Sequence, residues 1–430
     1  MRKEIPLLKV LFLFLDFIFF LIALILFLFL RLRADWFLQF KYHFLSFVLI
    51  FPIFEILLFS FGLFNFYLLN LRLIFNRTFH FLIFSFLLSI VYFYFTQTIF
   101  KISPKTNLLI FLFFFSFLIL ISRVIFFKFF NRKKTVYFWG RENLKNKLKT
   151  DLTGNPLFDF KEDGNLDFVL KGGNFERNNF IFIIDPIYNI SDSEKINYII
   201  NSNFQVFDFI DFYEMFFGRI PLEAISFDWL IRQGFFEKTN FYFYFKRMFD
   251  ILMALLIFVF VFIPLFLPIS LLIFLNDPGP IFFNQERLGY KRKIFKLIKF
   301  RTMRQDKNSE GKWFVGDEKN RIFFVGKFLR KTHLDELPQI FNLFKGDISL
   351  VGPRPEQPSI AFNLEEEIPF YFLRYFMPAG ITGWAQVNYK YPENVEETKI
   401  KLEYDLYYIK NYNLSLDLIV IIKTLQKIFS

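Results

Sequence analysis

The chain has 430 residues, of which 54% are hydrophobic and 74 are phenylalanine, and its formal net charge is +12. This length allows two or three structural units, and the apolar bias is typical of a membrane protein. The chain has no cysteine and only three histidines, which excludes disulfides, thiolate zinc sites and multi-histidine metal sites. The positive charge fits contact with anionic lipid and binding of anionic substrates. No nucleic-acid-binding module is recognisable, so we predict no nucleic-acid partner.

Four apolar stretches open the chain, at residues 7–30, 44–69, 79–100 and 108–130. Each is long enough to cross a bilayer as a helix, which takes roughly 20 residues. Basic residues before the first stretch, between the second and third, and after the fourth favour both ends on the cytoplasmic side. We therefore predict a four-helix transmembrane bundle over residues 1–131. Two acids within it, Asp16 and Glu55, have either a helix-packing or a functional role.

The composition becomes more polar over residues 132–240. Residues 135–139 and 180–184 are predicted strands, and a helix-like polar run follows the first of them. This alternation predicts a degenerate Rossmann-like domain in the cytosol. The segment GRENLKNK after the first strand is not a GxGxxG loop, so a structural or regulatory role is favoured over nucleotide binding.

A fifth apolar segment covers about residues 249–275 and is also long enough to span. Pro264 and Pro268 lie inside it, and proline disfavours a straight helix. Both flanks are basic, so neither end is suited to the far side of the membrane. We therefore predict a re-entrant helix that keeps residues 241–430 on the cytoplasmic face, rather than a fifth crossing.

Adjacent carboxylates at Asp335 and Glu336 are the strongest sign of chemistry in this final part. Apolar residues recur at helical spacing from Leu334 to Phe344, and Pro338 is tolerated only in a first turn, so a helix is predicted to begin near Asp335. Its dipole would favour the ionised carboxylates and lower the pKa of Asp335. The alternative is a plain helix cap, since Thr332 followed by Asp335 resembles a capping box.

Cationic residues surround this pair in the sequence. Strand alternation places Lys299 and Arg301 on one side of a predicted strand over residues 295–303, where they could hold phosphates or form an ordinary solvated face. Guanidinium groups match phosphate oxygens, which makes Arg330 and Arg354 candidates for phosphate contacts. Residues 416–428 form an apolar helix suited to docking at a membrane interface.

An ordered set of motifs in the final part resembles the bacterial sugar transferase family, the polyprenyl-phosphate hexose-1-phosphate transferases. The motifs are DPGPIFFNQERLGY at 277–290, KFRTM at 299–303, LDELPQ at 334–339, GDISLVGPRPE at 346–356, GITGWAQVNY at 380–389 and KLEYDLYYIKN at 401–411. The front half is similar to the long members that act on undecaprenyl phosphate, and NYKYPENVEE is similar to the exopolysaccharide branch. Each motif alone is weak, but the ordered set is specific.

The resemblance implies transfer of a sugar-1-phosphate from a UDP-sugar to undecaprenyl phosphate, with release of UMP. It implies that Asp335 is the nucleophile of a covalent phosphosugar intermediate and that the adjacent Glu336 helps to hold Mg²⁺. Asp405 matches a family acid that completes the metal or substrate site, although a helix-surface acid is an equal alternative from its sequence context. His333, two residues before Asp335, is the rival nucleophile.

These observations predict a protein of the membrane α plus α/β class. It would combine the bundle, the Rossmann-like domain and a mainly helical monotopic catalytic domain in the bacterial inner membrane. The resemblance also suggests a homodimer. The competing functions are a catalytically inert scaffold for polysaccharide assembly and a lipid-linked-sugar transporter, and the transporter needs more spans than the chain offers.

Overall fold

The computed structural model describes residues 4–32, 36–64, 71–100, 105–130, 134–155, 158–161, 180–185, 205–233, 235, 241–304 and 321–429. The chain divides into two units, Met1–Phe216 and Phe217–Ser430. The first unit begins with the helices α1 (Glu4–Leu32), α2 (Trp36–Val48), α3 (Phe51–Ser60), α4 (Leu71–Phe100) and α5 (Lys105–Phe130).

Three helices of this unit are long and apolar enough to cross a bilayer, over Leu8–Arg31, Ile74–Thr96 and Leu108–Lys128. They correspond to the first, third and fourth predicted spans. Large apolar side chains such as Phe14 and Phe95 stay exposed on their outer surfaces. Helices that are apolar all round require a lipid or protein environment, which agrees with a membrane unit.

The second predicted span, residues 44–69, differs from the expected single helix. It contains two helical segments, Phe40–Val48 and Phe51–Ser60, which meet at an angle of 44°. Pro52 lies in the first turn of α3, where its missing amide hydrogen cannot continue the preceding helix. Residues 65–69 of the predicted span lie outside the described residues.

Asp16 forms a buried ion pair between α1 and α5. Its Oδ2 lies 2.5 Å from Nη2 of Arg123, and both side chains are fully buried. The Arg123 Nε donates a further hydrogen bond to the carbonyl of Leu63. The pair neutralises both charges within the apolar unit and joins the two helices, so Asp16 has a helix-packing role.

A small parallel sheet follows the helices. Its strands are β1 (Lys134–Trp139), β2 (Phe158–Phe160), β3 (Phe180–Ile184) and β4 (Gln205–Asp208), in the order β2-β1-β3-β4. Both predicted strands are therefore confirmed as β1 and β3. The helix α6 (Glu142–Leu152) follows β1, and α7 (Phe209–Phe217) follows β4. Residues 162–179 and 186–204 of the predicted domain lie outside the described residues.

The carboxyl ends of β1 and β3 meet at one edge of the sheet, where Arg141 pairs with Asp185. The Arg141 Nε lies 2.5 Å from the buried Asp185 carboxylate. A side chain at Gly140 would collide with Asp185, since a Cβ there would lie 2.3 Å from the Asp185 Cβ. An ion pair therefore occupies the edge at which parallel sheets commonly bind ligands.

The second unit is mainly helical. Its helices are α8 (Phe227–Arg232), α9 (Phe241–Ile257), α10 (Ile263–Asn276), α11 (Phe324–Lys331), α12 (Ile340–Lys345), α13 (Pro358–Glu367), α14 (Trp384–Asn388), α15 (Val395–Asn411) and α16 (Leu414–Phe429). An antiparallel hairpin joins β5 (Phe282–Leu288) to β6 (Ile294–Phe300), and a parallel pair joins β7 (Ile348–Val351) to β8 (Ala379–Thr382). The strand and terminal helix predicted from the sequence are confirmed as β6 and α16.

The fifth apolar segment forms one helical run. A π-helical turn, Phe258–Phe262, joins α9 to α10, and the run Tyr242–Asn276 is long and apolar enough to span a membrane. Pro264 lies in the first turn of α10 and Pro268 inside it. Its 35 residues exceed the roughly 20 that one crossing needs.

The start of α15 provides a local test of the fold. The Asn394 side chain accepts a hydrogen bond of 2.9 Å from the amide of Glu397 and so caps the helix. We expect Asn394→Ala to lower the free energy of unfolding of this unit by about 1 kcal/mol, because one amide loses its acceptor. Asn394→Asp keeps the acceptor and should remain close to wild type in chemical denaturation. Equal loss in both variants would contradict the capping role.

Candidate active site

Asp335 and Glu336 lie in a 3₁₀ turn, Leu334–Gln339, between α11 and α12. The preceding residue, His333, has a φ of 56°, so the chain reverses direction in the left-handed region. Pro338 lacks an amide hydrogen, which favours a 3₁₀ turn here before α12 begins. The helix predicted near Asp335 therefore starts as a 3₁₀ turn.

The capping box considered for this segment is not formed. No side chain caps the turn, in which the N-cap position belongs to His333. The Thr332 hydroxyl instead donates to the carbonyl of Phe328 in the preceding helix. The acid pair is thus not needed as a helix cap.

Two cations hold Glu336 in place. The Lys299 Nζ on β6 and the Arg354 Nη2 after β7 each donate a hydrogen bond of 2.7 Å to the same oxygen, Oε1. Burial alone would raise the pKa of Glu336, but Arg354 and Lys299 outweigh it and lower the pKa to about 2. Glu336 is therefore ionised at neutral pH. Among the described residues no group donates a hydrogen bond to its Oε2, so this oxygen can bind another ligand.

Asp335 differs from its neighbour in having its carboxylate unengaged. Among the described residues no group donates a hydrogen bond to it, although it is only 8% exposed. Burial raises its pKa, and Lys299 and Arg330 oppose this effect. The expectation of a lowered pKa was wrong, because desolvation outweighs the nearby cations.

Arg330 and Arg301 have different surroundings. The Arg330 Nε donates a hydrogen bond of 3.0 Å to the Thr302 hydroxyl, and its charge acts on Asp335. The buried Arg301 instead pairs with Asp277, at 2.9 Å between Nη1 and Oδ2. The structure therefore brings Lys299, Arg330 and Arg354 to the acid pair, whereas the Arg301 side chain pairs with Asp277 in the turn that follows α10.

Asp405 belongs to a second buried charge cluster behind this site. Its Oδ2 lies 3.0 Å from the Arg374 Nε, and both side chains are almost fully buried. Lys401 pairs with Glu356 at 2.5 Å, and the Arg374 Nη2 donates to the carbonyl of Arg354 at 2.8 Å. We define the buried cluster as Glu356, Arg374, Lys401 and Asp405. It supports the backbone that carries Arg354.

Arg287 on β5 is a further residue of the site that the sequence analysis did not single out. Its Nη1 donates to the carbonyl of Pro355 at 3.1 Å, and it lines a pocket together with Arg354 and Gln339. Burial lowers its pKa. The available signal for Arg287 was its place in the NQERLG motif. The GPRPE and KLEYDLYY motifs were the signal for Glu356, Lys401 and Asp405 of the buried cluster, whereas Arg374 lies outside all of these motifs.

The acids of this site differ in how well they fit a magnesium ion. Among the residues that the structure describes, no three His, Cys, Asp or Glu side chains are grouped as a metal site. Magnesium is, however, commonly bound by one or two carboxylates together with substrate phosphates. Asp335 and the free Oε2 of Glu336 fit such a shared site. Asp405 does not fit it as placed, because its carboxylate is buried against Arg374.

Comparison with known proteins gives the family. Residues 241–430 match the family described as bacterial sugar transferase. A UDP-glucose:undecaprenyl-phosphate glucose-1-phosphate transferase of Caulobacter vibrioides is 36% identical over 189 residues, which are 43% of this chain and 70% of that protein. The chain belongs to the bacterial sugar transferase family. The matched region contains the whole arrangement around Asp335 and Glu336.

Longer members of the bacterial sugar transferase family also match. A UDP-N-acetylgalactosamine-undecaprenyl-phosphate N-acetylgalactosaminephosphotransferase of Aeromonas hydrophila is 40% identical over 213 residues, 50% of this chain and 49% of that protein. A UDP-glucose:undecaprenyl-phosphate glucose-1-phosphate transferase of Escherichia coli K12 is 37% identical over 186 residues, 43% of this chain and 40% of that protein. The match thus spans half or less of the length of these two relatives.

Proposed function

We propose that this protein transfers a sugar-1-phosphate from a UDP-sugar to undecaprenyl phosphate and releases UMP. The observation that carries the proposal is the contrast between the two acids. Glu336 is ionised and held by Lys299 and Arg354, whereas the Asp335 carboxylate beside it is unengaged and buried. An unengaged carboxylate among cations is suited to attack on a phosphorus atom.

In the first step, an Asp335 oxygen attacks the phosphorus that carries the sugar. The bond between that phosphorus and the bridging oxygen breaks, and UMP leaves with the electron pair. In the second step, a phosphate oxygen of undecaprenyl phosphate attacks the same phosphorus. The bond to Asp335 breaks, and the carboxylate is regenerated without water. Both transfers require two anions to approach each other, so nearby positive charge is essential.

Positive side chains of the chain itself serve this need. Arg354 donates to Glu336 and the charge of Arg330 acts on Asp335, so both guanidinium groups are proposed to contact phosphate oxygens. Lys299 lowers the pKa of Glu336 and opposes the rise in the pKa of Asp335 that burial causes. Asp335 and Glu336 would hold Mg²⁺, which would neutralise charge on the diphosphate. His333 is exposed, and the burial of Asp335 among cations supports the acid over this rival.

A donor panel tests the proposal. Purified full-length protein would be incubated with radiolabelled UDP-sugars, undecaprenyl phosphate and Mg²⁺. We expect UMP and a lipid-soluble labelled product with at least one donor, and neither product after chelation of the metal. A chain that is only a scaffold for polysaccharide assembly releases no UMP with any donor, and that result would reject the proposal.

The pH dependence offers a second test. Burial raises the pKa of Asp335, and the charge of Lys299 is the strongest influence that lowers it. Lys299→Met should therefore raise the pKa of Asp335 further. The nucleophile must be ionised, and activity is lost as pH falls through this pKa. We therefore expect the acidic limb of the pH–rate profile to move to higher pH in Lys299→Met. Lys296→Met, three residues earlier and exposed on the same strand, should leave the limb in place.

We also propose that the run Tyr242–Asn276 re-enters the membrane and returns to the cytoplasmic face of the inner membrane. Both of its ends are fastened to the same globular unit. Near the start, Arg247 donates to the carbonyls of Leu343 and Phe344 at 2.6 and 2.8 Å. At the end, the Asn276 side chain accepts a hydrogen bond from the amide of Val325.

Single cysteines test this topology, because the natural chain has none. Arg232→Cys and Arg304→Cys replace well-exposed side chains on either side of the run. A membrane-impermeant maleimide should label both from the cytoplasmic side of the membrane. Labelling of the two from opposite sides would show a full crossing.

The small parallel sheet supports the further proposal of a Rossmann-like module with a structural or regulatory role, because its first strand, β1, lies between β2 and β3.

The homodimer stays a prediction, which sedimentation of the protein in detergent would test.

A further inference from the structure

Helix α11 (Phe324–Lys331) has a two-sided surface. Phe324 and Phe328 are 82% and 57% exposed, and Lys327 and Lys331 are exposed beside them. At 100° per residue these four side chains fall within one arc of the helix surface. They are defined here as the outer face of α11.

The opposite side of the helix is fastened to the unit. Leu329 is buried, and Gly326 packs so tightly that a Cβ there would lie 2.2 Å from the carbonyl oxygen of Thr302. The helix therefore cannot roll its two phenylalanines into the interior without breaking this contact. Their exposure is a property of how the helix is attached.

The outer face is next to the apolar run that enters the membrane. The amide of Val325, in the first turn of α11, donates to the side chain of Asn276, the last residue of α10. Leu271 and Leu275, in the last turns of α10, are themselves 55% and 70% exposed. The exposed apolar surface of the membrane run thus leads to α11.

The lysines of the outer face indicate which kind of partner contacts it. Among the described residues, no acidic side chain pairs with Lys327 or Lys331. A helix face with aromatic side chains between unpaired lysines is typical of a surface that lies in the interface of a bilayer with anionic lipids. A protein partner would need acidic groups to match the lysines, whereas an anionic bilayer supplies them next to α10, which ends a run long and apolar enough to lie in a membrane.

We infer that the outer face of α11 docks on an anionic bilayer surface. Phe324 and Phe328 enter the boundary between headgroups and acyl chains, and Lys327 and Lys331 contact lipid phosphates. Arg330, a residue of the candidate active site, lies on the flank of the same helix and donates a hydrogen bond to Thr302. Docking of α11 on the bilayer therefore also sets the depth of the candidate active site relative to the headgroups.

Single-cysteine labelling of the full-length chain tests the docking without any measurement of activity. Phe324→Cys and Phe328→Cys would each carry an environment-sensitive fluorophore, with the protein in nanodiscs of phosphatidylcholine mixed with phosphatidylglycerol. The matched control is Phe362→Cys on α13, which is 48% exposed. Strand β5 lies between Phe362 and the membrane run. The first residue of β5, Phe282, stacks on Phe266 of the run. The amide of its last residue, Leu288, donates to the carbonyl of Glu356, which precedes α13.

We expect lipids with a doxyl group near the glycerol end to quench both α11 labels more than lipids with the group near the chain terminus. Aqueous iodide should quench the Phe362→Cys label instead. Lys327→Glu with Lys331→Glu should weaken docking by roughly 25-fold or more in discs that contain phosphatidylglycerol, since each lysine contributes about fivefold at an anionic surface and the new carboxylates are repelled. The same pair should change little in discs of phosphatidylcholine alone.

Two results would overturn the inference. Iodide quenching of the α11 labels equal to that of the control would mean that the face is in water. Protection from both iodide and doxyl lipid would mean that a protein, such as a second copy of the chain, covers it.

Discussion

Asp335→Asn is expected to reduce sugar-phosphate transfer by on the order of 10⁴-fold or more, because it removes the proposed nucleophile and leaves the surroundings nearly unchanged. The amide has the same shape as the carboxyl group but cannot form the acyl phosphate bond to the sugar phosphate. The measurement is UMP release with a donor that the wild type accepts. Intact-mass analysis without acceptor should show a phosphosugar adduct in the wild type and none in the variant.

The controls separate this role from general damage and from the rival residue. Asp228→Asn makes the same chemical change at an exposed acid on α8 and should retain wild-type turnover. His333→Ala should retain most of the activity and should still form the adduct. If Asp335→Asn were active, or if His333→Ala lost the adduct, Asp335 would not be the nucleophile.

Arg374→Met is expected to lower the free energy of unfolding of the second unit by about 3–5 kcal/mol, because it leaves the buried carboxylate of Asp405 without its paired cation. Asp405 would lose the ion pair that neutralises it, and the Arg354 carbonyl would lose its donor. Chemical denaturation of the full-length protein in detergent, followed by a probe in this unit, measures the change.

The matched control is Arg292→Met, which removes the same group from an exposed pair with Glu365. The Arg292 side chain is 55% exposed, so its loss should cost less than about 1 kcal/mol. Similar losses in the two variants would contradict the stabilising role of the buried cluster.

The pH dependence of stability gives a further check on this prediction. Burial alone would raise the pKa of Glu356, but Lys401 and Arg374 lower it to about 2 from an ordinary value of 4.5. A depressed pKa contributes stability that is present above 4.5 and is lost as pH falls towards 2. Arg374→Met removes part of the depression, so its stability should depend less on pH within this window.

Asp405 could act as a metal ligand or as the buried partner of Arg374, and Asp405→Asn distinguishes the two roles. As a metal ligand, its loss would raise the Mg²⁺ concentration that activity requires. As the partner of Arg374, its loss would lower stability and leave the metal dependence of the remaining activity unchanged. Its burial against Arg374 makes us expect the second result for Asp405→Asn, measured by Mg²⁺ titration of the folded fraction.

Several features followed from the sequence because they depend on neighbouring residues. The apolar stretches, the strands β1, β3 and β6, and the helix α16 all come from local periodicity, which backbone geometry converts directly into structure. Asp335 and Glu336 were recognised together because they are adjacent. The ordered motifs placed the chain in its family because each is a contiguous run of residues.

Other features depend on which distant segments meet, and local patterns do not report this. Glu336 is held by residues 37 and 18 positions away, and only the tertiary structure selects the one oxygen that both cations share. Alternation along a strand grouped Arg301 with Lys299, but Asp277 binds Arg301. The Asp335 pKa moved opposite to expectation because burial, which depends on the whole unit, outweighed the nearby charges.

The sequence by itself thus determined the membrane character, the family and the identity of the acid pair, since these depend on composition and on short contiguous motifs. Only the tertiary structure decided that two cations hold Glu336, that no described residue donates a hydrogen bond to Asp335, and that Asp405 is paired with Arg374. The physical reason is that hydrogen bonds and desolvation act over distances of a few ångströms in space, between groups that are far apart along the chain.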